Sequence, residues 1–304
     1  MSSPSLALQV ARRWRRAAFE LNPPLILGGV LAALIIICAV AAPLIAPFDP
    51  YDAKVFFDEG RMARMPYPPG SYDMLLGSDS AGRDLLSRLI YGSRYTLLFC
   101  GLAALLRVLL GTTLGMLAGW YNHASQAFDV LVSSWSAVPS LIFAIAPISI
   151  VSLRSDLNTS MTVFVLALSL TGWAEAAVRV RLEVQSVRAT AFVEAAYSVG
   201  LSRAAVLWRH ILPNLRDLLL IEAVYALAAA LLLVAELGFL NFFVGAAERD
   251  TLGVFPIQAE WGGMLARGLR ERGSGLWLLL APMGAFTLTI LAFNLLAEGL
   301  RRRR

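Results

Sequence analysis

Charge is scarce in this chain. Charged residues make up 15% of its 304 positions, against roughly 25% in an ordinary soluble domain. There is one lysine, Lys54, and there are two histidines, His123 and His210, and two cysteines, Cys38 and Cys100. Each scarcity excludes something. A phosphate-binding loop of the form G-x-x-x-x-G-K-[ST] sets a lysine among glycine-supplied backbone amides, and Lys54 stands in no such pattern, so a nucleotide-hydrolysing loop of this kind is excluded. The two histidines are not paired with cysteines, which argues against a metal site. Neither Gly-x-Ser-x-Gly nor His-Glu-x-x-His occurs, so an intramembrane enzyme lacks its catalytic constellation. Both cysteines fall inside apolar runs, where small buried hydrophobes are expected rather than a disulfide framework. No internal repeat is evident, which counts against a self-sufficient ion-coupled transporter built from inverted halves.

What is abundant is apolar surface, at 58% of residues. Several windows approach or exceed the roughly 20 residues needed to cross a hydrocarbon core about 30 Å thick. The expected fold is therefore an all-α polytopic membrane bundle. Helices are the default because an open sheet would leave backbone polar groups unpaired in lipid. Six transmembrane helices are predicted, over 25–46, 95–119, 127–152, 160–181, 214–240 and 276–299. The third is interrupted by Pro139, Pro147 and four serines and should be kinked. A basic N-terminus (1–24) precedes the first span. That span is too long for the 7–15-residue apolar core of a cleaved signal peptide and is expected to be retained.

The arginines orient the bundle. Arg12, Arg13, Arg15 and Arg16, then Arg179, Arg181, Arg188, Arg203, Arg209 and Arg216, then Arg301 to Arg304 all fall on one side of a six-span arrangement. The positive-inside rule places that side, with both termini, the 182–213 insertion and the 300–304 tail, in the cytoplasm. The net charge of +5 is thereby assigned to topology rather than to nucleic acid. The loop at 47–94, with an amphipathic helix before the second span, faces outward, as does the loop at 241–275. The remainder, 95–299, is a five-helix core that contains the 182–213 insertion.

That insertion is too polar for lipid and too patterned for a slack loop. In "AFVEAAYSVGLSRAAVLWRHILPN" (191–214), Phe192, Ala195, Ala196 and Val199 recur at helical spacing. Gly200 can end this first helix in a left-handed conformation. Ser202 can cap a second one, whose apolar side is Val206, Leu207 and Ile211, and Pro213 suits the start of the fifth span. Such a pair of helices could rest on lipid headgroups, with Arg203 and Arg209 toward anionic lipid, or dock on a protein that the small Ala195–Ala196 pair lets approach closely. Polar residues elsewhere have two readings each. Asp79, Gly82, Arg83 and Asp84 either contact an outer partner or cap and orient the helix entering the second span. Glu236, Glu222 and Glu175 lie near span ends, Asn294 can bond between helices, and Arg107 sits mid-span and needs a bundle partner or a wet cavity.

The segment "EAAYSVGLSRAAVLWRHILP" resembles the EAA loop of ABC importer permeases, on Glu194, Ala195, Ala196, Gly200, Leu212 and Pro213. "LLGSDSAGRDLLSRLIYGSR" (75–94), "AELGFLNF" (235–242), "AEWGGML" (259–265) and "LAFNLLAEGLR" (291–301) are similar to segments of the dipeptide and oligopeptide (C-type) branch. Departures are His210 at a generally aliphatic position, the lead-in "RATAF", "GWYNHAS" in place of Gly-Tyr-Tyr-Gly-Gly, a long 242–258 loop and the arginine tail. The resemblance implies a permease subunit in the bacterial cytoplasmic (inner) membrane, importing di- or oligopeptides delivered by an extracytoplasmic binding protein. It implies a second homologous permease and two ATPase subunits, with ATP and Mg bound on those partners and no cofactor on this chain. Phe192, Glu194, Ala195, Ala196, Gly200, Arg203, Leu212 and Pro213 would then couple to the ATPases, and Glu236 matches a family glutamate. Nickel, glutathione or another small solute is the alternative cargo.

Overall fold

Asn22 and the Pro23-Pro24 pair begin the first helix, α1 (Pro23–Val40), with the Asn22 side chain accepting from the Leu25 N–H at 3.3 Å. The computed structural model describes residues 22–121, 125–152, 160–245, 247–250 and 253–304. A short α2 (Ala42–Ile45) follows α1. An extended stretch then contains the hairpin of β1 (Phe57–Asp58) and β2 (Arg61–Met62). Phe56 stacks on Tyr72 at 4.2 Å between ring centroids, with buried Tyr67 edge-on to both, so this segment folds around its own small aromatic core.

The long helix α3 (Leu85–Trp120) has 36 residues, a length of about 54 Å at 1.5 Å per residue. It therefore projects well beyond a hydrocarbon core. The predicted second span began at 95, whereas the helix begins ten residues earlier, because Asp84 caps it by accepting from the Ser87 N–H at 2.7 Å. The expected amphipathic helix and the second span are one continuous rod.

The third predicted span is two helices, α4 (Ser125–Ser136) and α5 (Ser140–Ser152), bent by 74°. Pro139 stands at the break, where it has no N–H to continue α4. The fourth is likewise broken, into α6 (Met161–Ser169) and α7 (Trp173–Arg188), at 45°. Gly172 supplies the left-handed residue at that break (φ +73°). Helix α7 runs on past the predicted boundary at 181. After it come α8 (Ala191–Ser198), α9 (Arg203–Val206), a π-helical turn over Leu207–Ile211, and α10 (Leu212–Asn214). Then come α11 (Arg216–Phe239), the hairpin of β3 (Ala247–Asp250) and β4 (Gly253–Pro256), α12 (Trp261–Arg270) and α13 (Trp277–Arg303). The arginine tail is not a separate segment, since α13 continues through it to Arg303.

Helices α1, α3, α11 and α13 are each long and apolar enough to cross a membrane, and six spans result if each bent pair counts as one. The main core joins α3, α6, α11, α12 and α13 through Phe99, Phe164, Leu168, Leu231, Leu237, Leu265 and Phe293. Helix α7 packs along α3 over a stripe of small residues. A Cβ at Gly111 would lie 2.7 Å from that of Ala176, and one at Gly115 would lie 2.4 Å from the Ala177 carbonyl oxygen. Close helix approach of this kind is the usual role of G-x-x-x-G spacing in membranes. Gly111, Gly115 and Gly119 carry that spacing in the sequence. Cys100 is buried as expected, but Cys38 is exposed on the outer surface of α1.

Candidate functional site: a docked helical turn and a charged cleft

The 189–215 segment is held by one face. Gly200 takes φ +83°, the Leu201 N–H reaches the Ala196 carbonyl at 3.2 Å and the Gly200 N–H reaches that of Tyr197 at 2.9 Å. This pair of bonds is a Schellman stop, which ends α8 and turns the chain sharply. Ser202 then caps α9 by accepting from the Ala205 N–H at 3.3 Å. Val193, Ala196, Val206 and Ile211 are buried against Met116, Trp120, Val180, Val184, Leu215 and Leu218. Arg188 also donates to the Trp120 carbonyl at 2.8 Å, satisfying the C-terminal end of α3. The turn is thereby fixed to α3, α7 and α11.

One face of α8 turns inward, and of the residues expected to couple to an ATPase Ala196 lies on it. Phe192, Ala195 and Val199 are exposed, and Val193 with Ala196 faces the bundle. Val193 is four residues from Tyr197, whose ring lies near that of Trp120 (6.4 Å), so the anchoring stripe is one residue out of phase with the exposed Phe192, Ala195 and Val199. The second helix buries the side that was expected. Glu194, Arg203, Pro213 and Arg209 are exposed and Leu212 is half-buried. Val199 is 78% and Trp208 65% exposed. The free side thus mixes an acid, two arginines and large apolar groups on a rigidly anchored support.

A second feature is a cleft of about 690 Å³ along α7, α11 and α13. Its wall carries Glu175, Glu222, Glu236 and Asn294, so the four intramembrane polar residues singled out in the sequence share one surface. Glu222 is 3% exposed and receives both Nε and Nη2 of Arg179, the latter at 2.7 Å. Glu175 is exposed and 3.9 Å from Arg179. Arg107 also lines the cleft and finds neutral partners. Its Nε donates to the Leu168 carbonyl at 2.8 Å, Nη1 to that of Ala226 at 3.4 Å, and Nη2 to the Thr171 hydroxyl. The Leu168 carbonyl stands in the last turn of α6 and accepts from the Thr171 N–H (3.2 Å) and hydroxyl (2.8 Å) as well as from Arg107.

At the other end of α3, the 79–84 motif is folded inward. Asp79 is 2% exposed and faces Arg83 at 2.8 Å, Arg267 at 3.5 Å and Arg88 at 3.6 Å. Burial opposes ionisation of this carboxyl, but Arg267, Arg88 and Arg83 together hold it below its ordinary range. Arg267 also pairs with Glu271 at 3.0 Å, and Ser80 bridges both. Gly82, at φ +79°, is buried under the Lys54 carbonyl. Sequence reasoning missed Glu260, which caps α12 through the Gly262 and Gly263 N–H groups. Its carboxyl is pushed up to about 7 by burial, against the pull of those N–H bonds. His123 lies outside the described residues, and among the described residues no group of three metal-ligating side chains occurs.

Residues 111–303 match the family described as binding-protein-dependent transport system inner membrane component. Residues 9–66 match the N-terminal TM domain of oligopeptide transport permease C. The chain is 34% identical over 278 residues to the di/tripeptide transport system permease protein DppC of Pseudomonas aeruginosa, covering 90% of this chain and 86% of that protein. It is 29% identical to the dipeptide transport system permease protein DppC of Haemophilus influenzae, over 93% of this chain and 90% of that one. Against the glutathione transport system permease protein GsiD of Pectobacterium atrosepticum the identity is 30%, over 95% and 88%.

Proposed function

The chain belongs to the family of binding-protein-dependent transport system inner membrane components, and on that premise we propose that it is a permease subunit of an ATP-driven importer of di- or oligopeptides. Relatives whose names specify di- and tripeptides support the cargo, and the glutathione permease among them keeps a second, peptide-like cargo in view. The family implies ATPase and binding-protein partners. We assign two ATPase subunits carrying ATP and Mg, and a second homologous permease that closes the charged cleft from the opposite side. Both termini and the α8–α10 turn face the cytoplasm, as the arginine distribution supports.

The observation that carries the coupling role is the α8–α10 turn, which is anchored by Val193, Ala196, Val206 and Ile211 and leaves Glu194, Val199, Arg203 and Trp208 exposed. A support fixed to three long helices passes a push from a docked ATPase into the bundle rather than absorbing it. The required work is modest. Moving a two-state pore from 1:99 to 99:1 takes about 5.5 kcal/mol of differential affinity, which a pair of ATPases closing on ATP can deliver through two such turns. At the cleft, Glu175, Glu222, Arg179 and Arg107 offer charges of both signs, which suits a zwitterionic solute. The Asp79–Arg83–Arg88–Arg267 cluster braces the outer end of α3 against α12.

The test is reconstitution of the complete importer in proteoliposomes with its binding protein outside and ATP inside. Accumulation of labelled trialanine that needs both ATP and binding protein is expected. Accumulation driven by an ion gradient without ATP would overturn the proposal.

A further inference from the structure

Arg107 stands at the centre of the apolar 95–119 segment, where an ionised side chain is costly and marks function. Among the described residues no carboxylate pairs with it: it donates to the Leu168 and Ala226 carbonyls and to the Thr171 hydroxyl. A guanidinium has five N–H donors in a planar fork, so these three bonds leave two uncommitted. The group is 2% exposed, yet it forms part of the cleft wall. Gly172 lines the same cleft, and a Cβ there would lie 3.5 Å from Nη1, in van der Waals contact with it. Glu175 lines the same cleft from the first turn of α7 and is exposed. The cation is thus held rigidly by neutral dipoles, which fix its direction without neutralising its charge.

We propose that Arg107 is a specificity-determining residue of the pathway, receiving the carboxylate of the cargo in the cleft while Glu175 faces its ammonium. A planar fork with two free donors matches a carboxylate, and a carboxylate is what a peptide in transit brings. This inference rests on the peptide-importer reading above.

The experiment uses the complete reconstituted importer and two probes, trialanine and trialanine C-terminal amide. The ratio of their ATP-dependent uptake is measured for wild type, Arg107→Gln and Arg107→Lys. The binding protein's own preference between the probes is common to all three and divides out. Losing a hydrogen bond from a charged group is expected to lower the trialanine-to-amide ratio by about tenfold or more in Arg107→Gln. Arg107→Lys keeps the charge and recovers most of the ratio. If Arg107→Gln lowers both probes by one factor, or leaves the ratio unchanged, Arg107 is a brace for the α6–α7 break and the inference is wrong. If Arg107→Gln does not assemble, Arg107→Lys decides alone, because lysine keeps the charge but not the planar fork: a trialanine-to-amide ratio measurably below wild type supports carboxylate recognition, and an unchanged ratio, whether or not both probes fall together, overturns it. A wild-type importer that moves neither probe refutes the peptide reading itself, and the inference falls with it.

Discussion

Gly115→Ala adds one methyl group to the α3–α7 crossing. Its carbon would sit 2.4 Å from the Ala177 carbonyl oxygen and 2.9 Å from the Val180 Cβ, so a backbone must move by several tenths of an ångström or more. Overpacking of this kind costs about 1–3 kcal/mol, while replacing a helical glycine by alanine returns up to about 1 kcal/mol. The net loss is on the order of 1–2 kcal/mol, a few degrees in Tm for a chain of this size. Gly101→Ala, on the same helix, is the control. Nothing lies within 4 Å of the added carbon there, so stability should hold or rise slightly. The two positions also differ from Gly111, where the nearest obstacle is the Ala176 Cβ at 2.7 Å. Gly111→Ala should be partly rescued by Ala176→Gly, whereas no side-chain trimming removes the Ala177 carbonyl that opposes Gly115→Ala. The assay is thermal denaturation of the purified chain in mild detergent, read by tryptophan fluorescence. A Gly115→Ala variant that melts with the wild type, or above it, would refute the close crossing.

Two further outcomes follow from the outer end of α3. Asp79→Asn leaves Arg83, Arg88 and Arg267 around a neutral group, and breaking a buried pair in this way costs roughly 3–5 kcal/mol. The variant should fail to accumulate in membranes, and a wild-type yield with an unchanged Tm would contradict the network. Because the Asp79 carboxyl is held low, its contribution is present above the ordinary aspartate range and is lost only as pH falls through the lowered value. Glu260 has the opposite sign. Its folded pKa of about 7 lies above the ordinary value of 4.5, so native stability gains as pH falls from 7 toward 4.5 and loses as pH rises through 7. Arg88 is the charged neighbour that moderates this. Subtracting the melting curves of Glu260→Gln from those of wild type between pH 5 and 8 should isolate a change on the order of 3 kcal/mol. A flat difference would show that Glu260 is not buried as an acid at the cap of α12.

Span number was legible because length and hydropathy are local properties, and the α8–α10 turn was legible because Glu194, Gly200, Ser202 and Pro213 are local punctuation. Helix ends were less so. The start of α3 at Leu85 depends on Asp84 capping a helix that is half outside the apolar window, and the run of α7 to Arg188 depends on its packing along α3. The inward face of α8 was not legible, because eight residues hold too few apolar positions to fix a phase, and Val193 packs with Trp120 and Val184 of other helices. The neutral partners of Arg107 were out of reach for the same reason. Leu168 presents its carbonyl from the end of α6, where Thr171 bonds to it as well, and Ala226 arrives from α11. The ring of arginines on Asp79 joins residues from two ends of the chain.

The central claim is that the α8–α10 turn is where an ATPase docks. Its most direct test is affinity purification of the tagged chain in mild detergent, with partners identified by mass spectrometry, beside the Glu194→Ala, Gly200→Pro double variant. The proposal predicts two ATPase subunits and a second permease with the wild type, and loss of the ATPases but not of the permease from the variant. Equal recovery of the ATPases with both forms would contradict it, as would a chain that purifies alone and moves solute on an ion gradient.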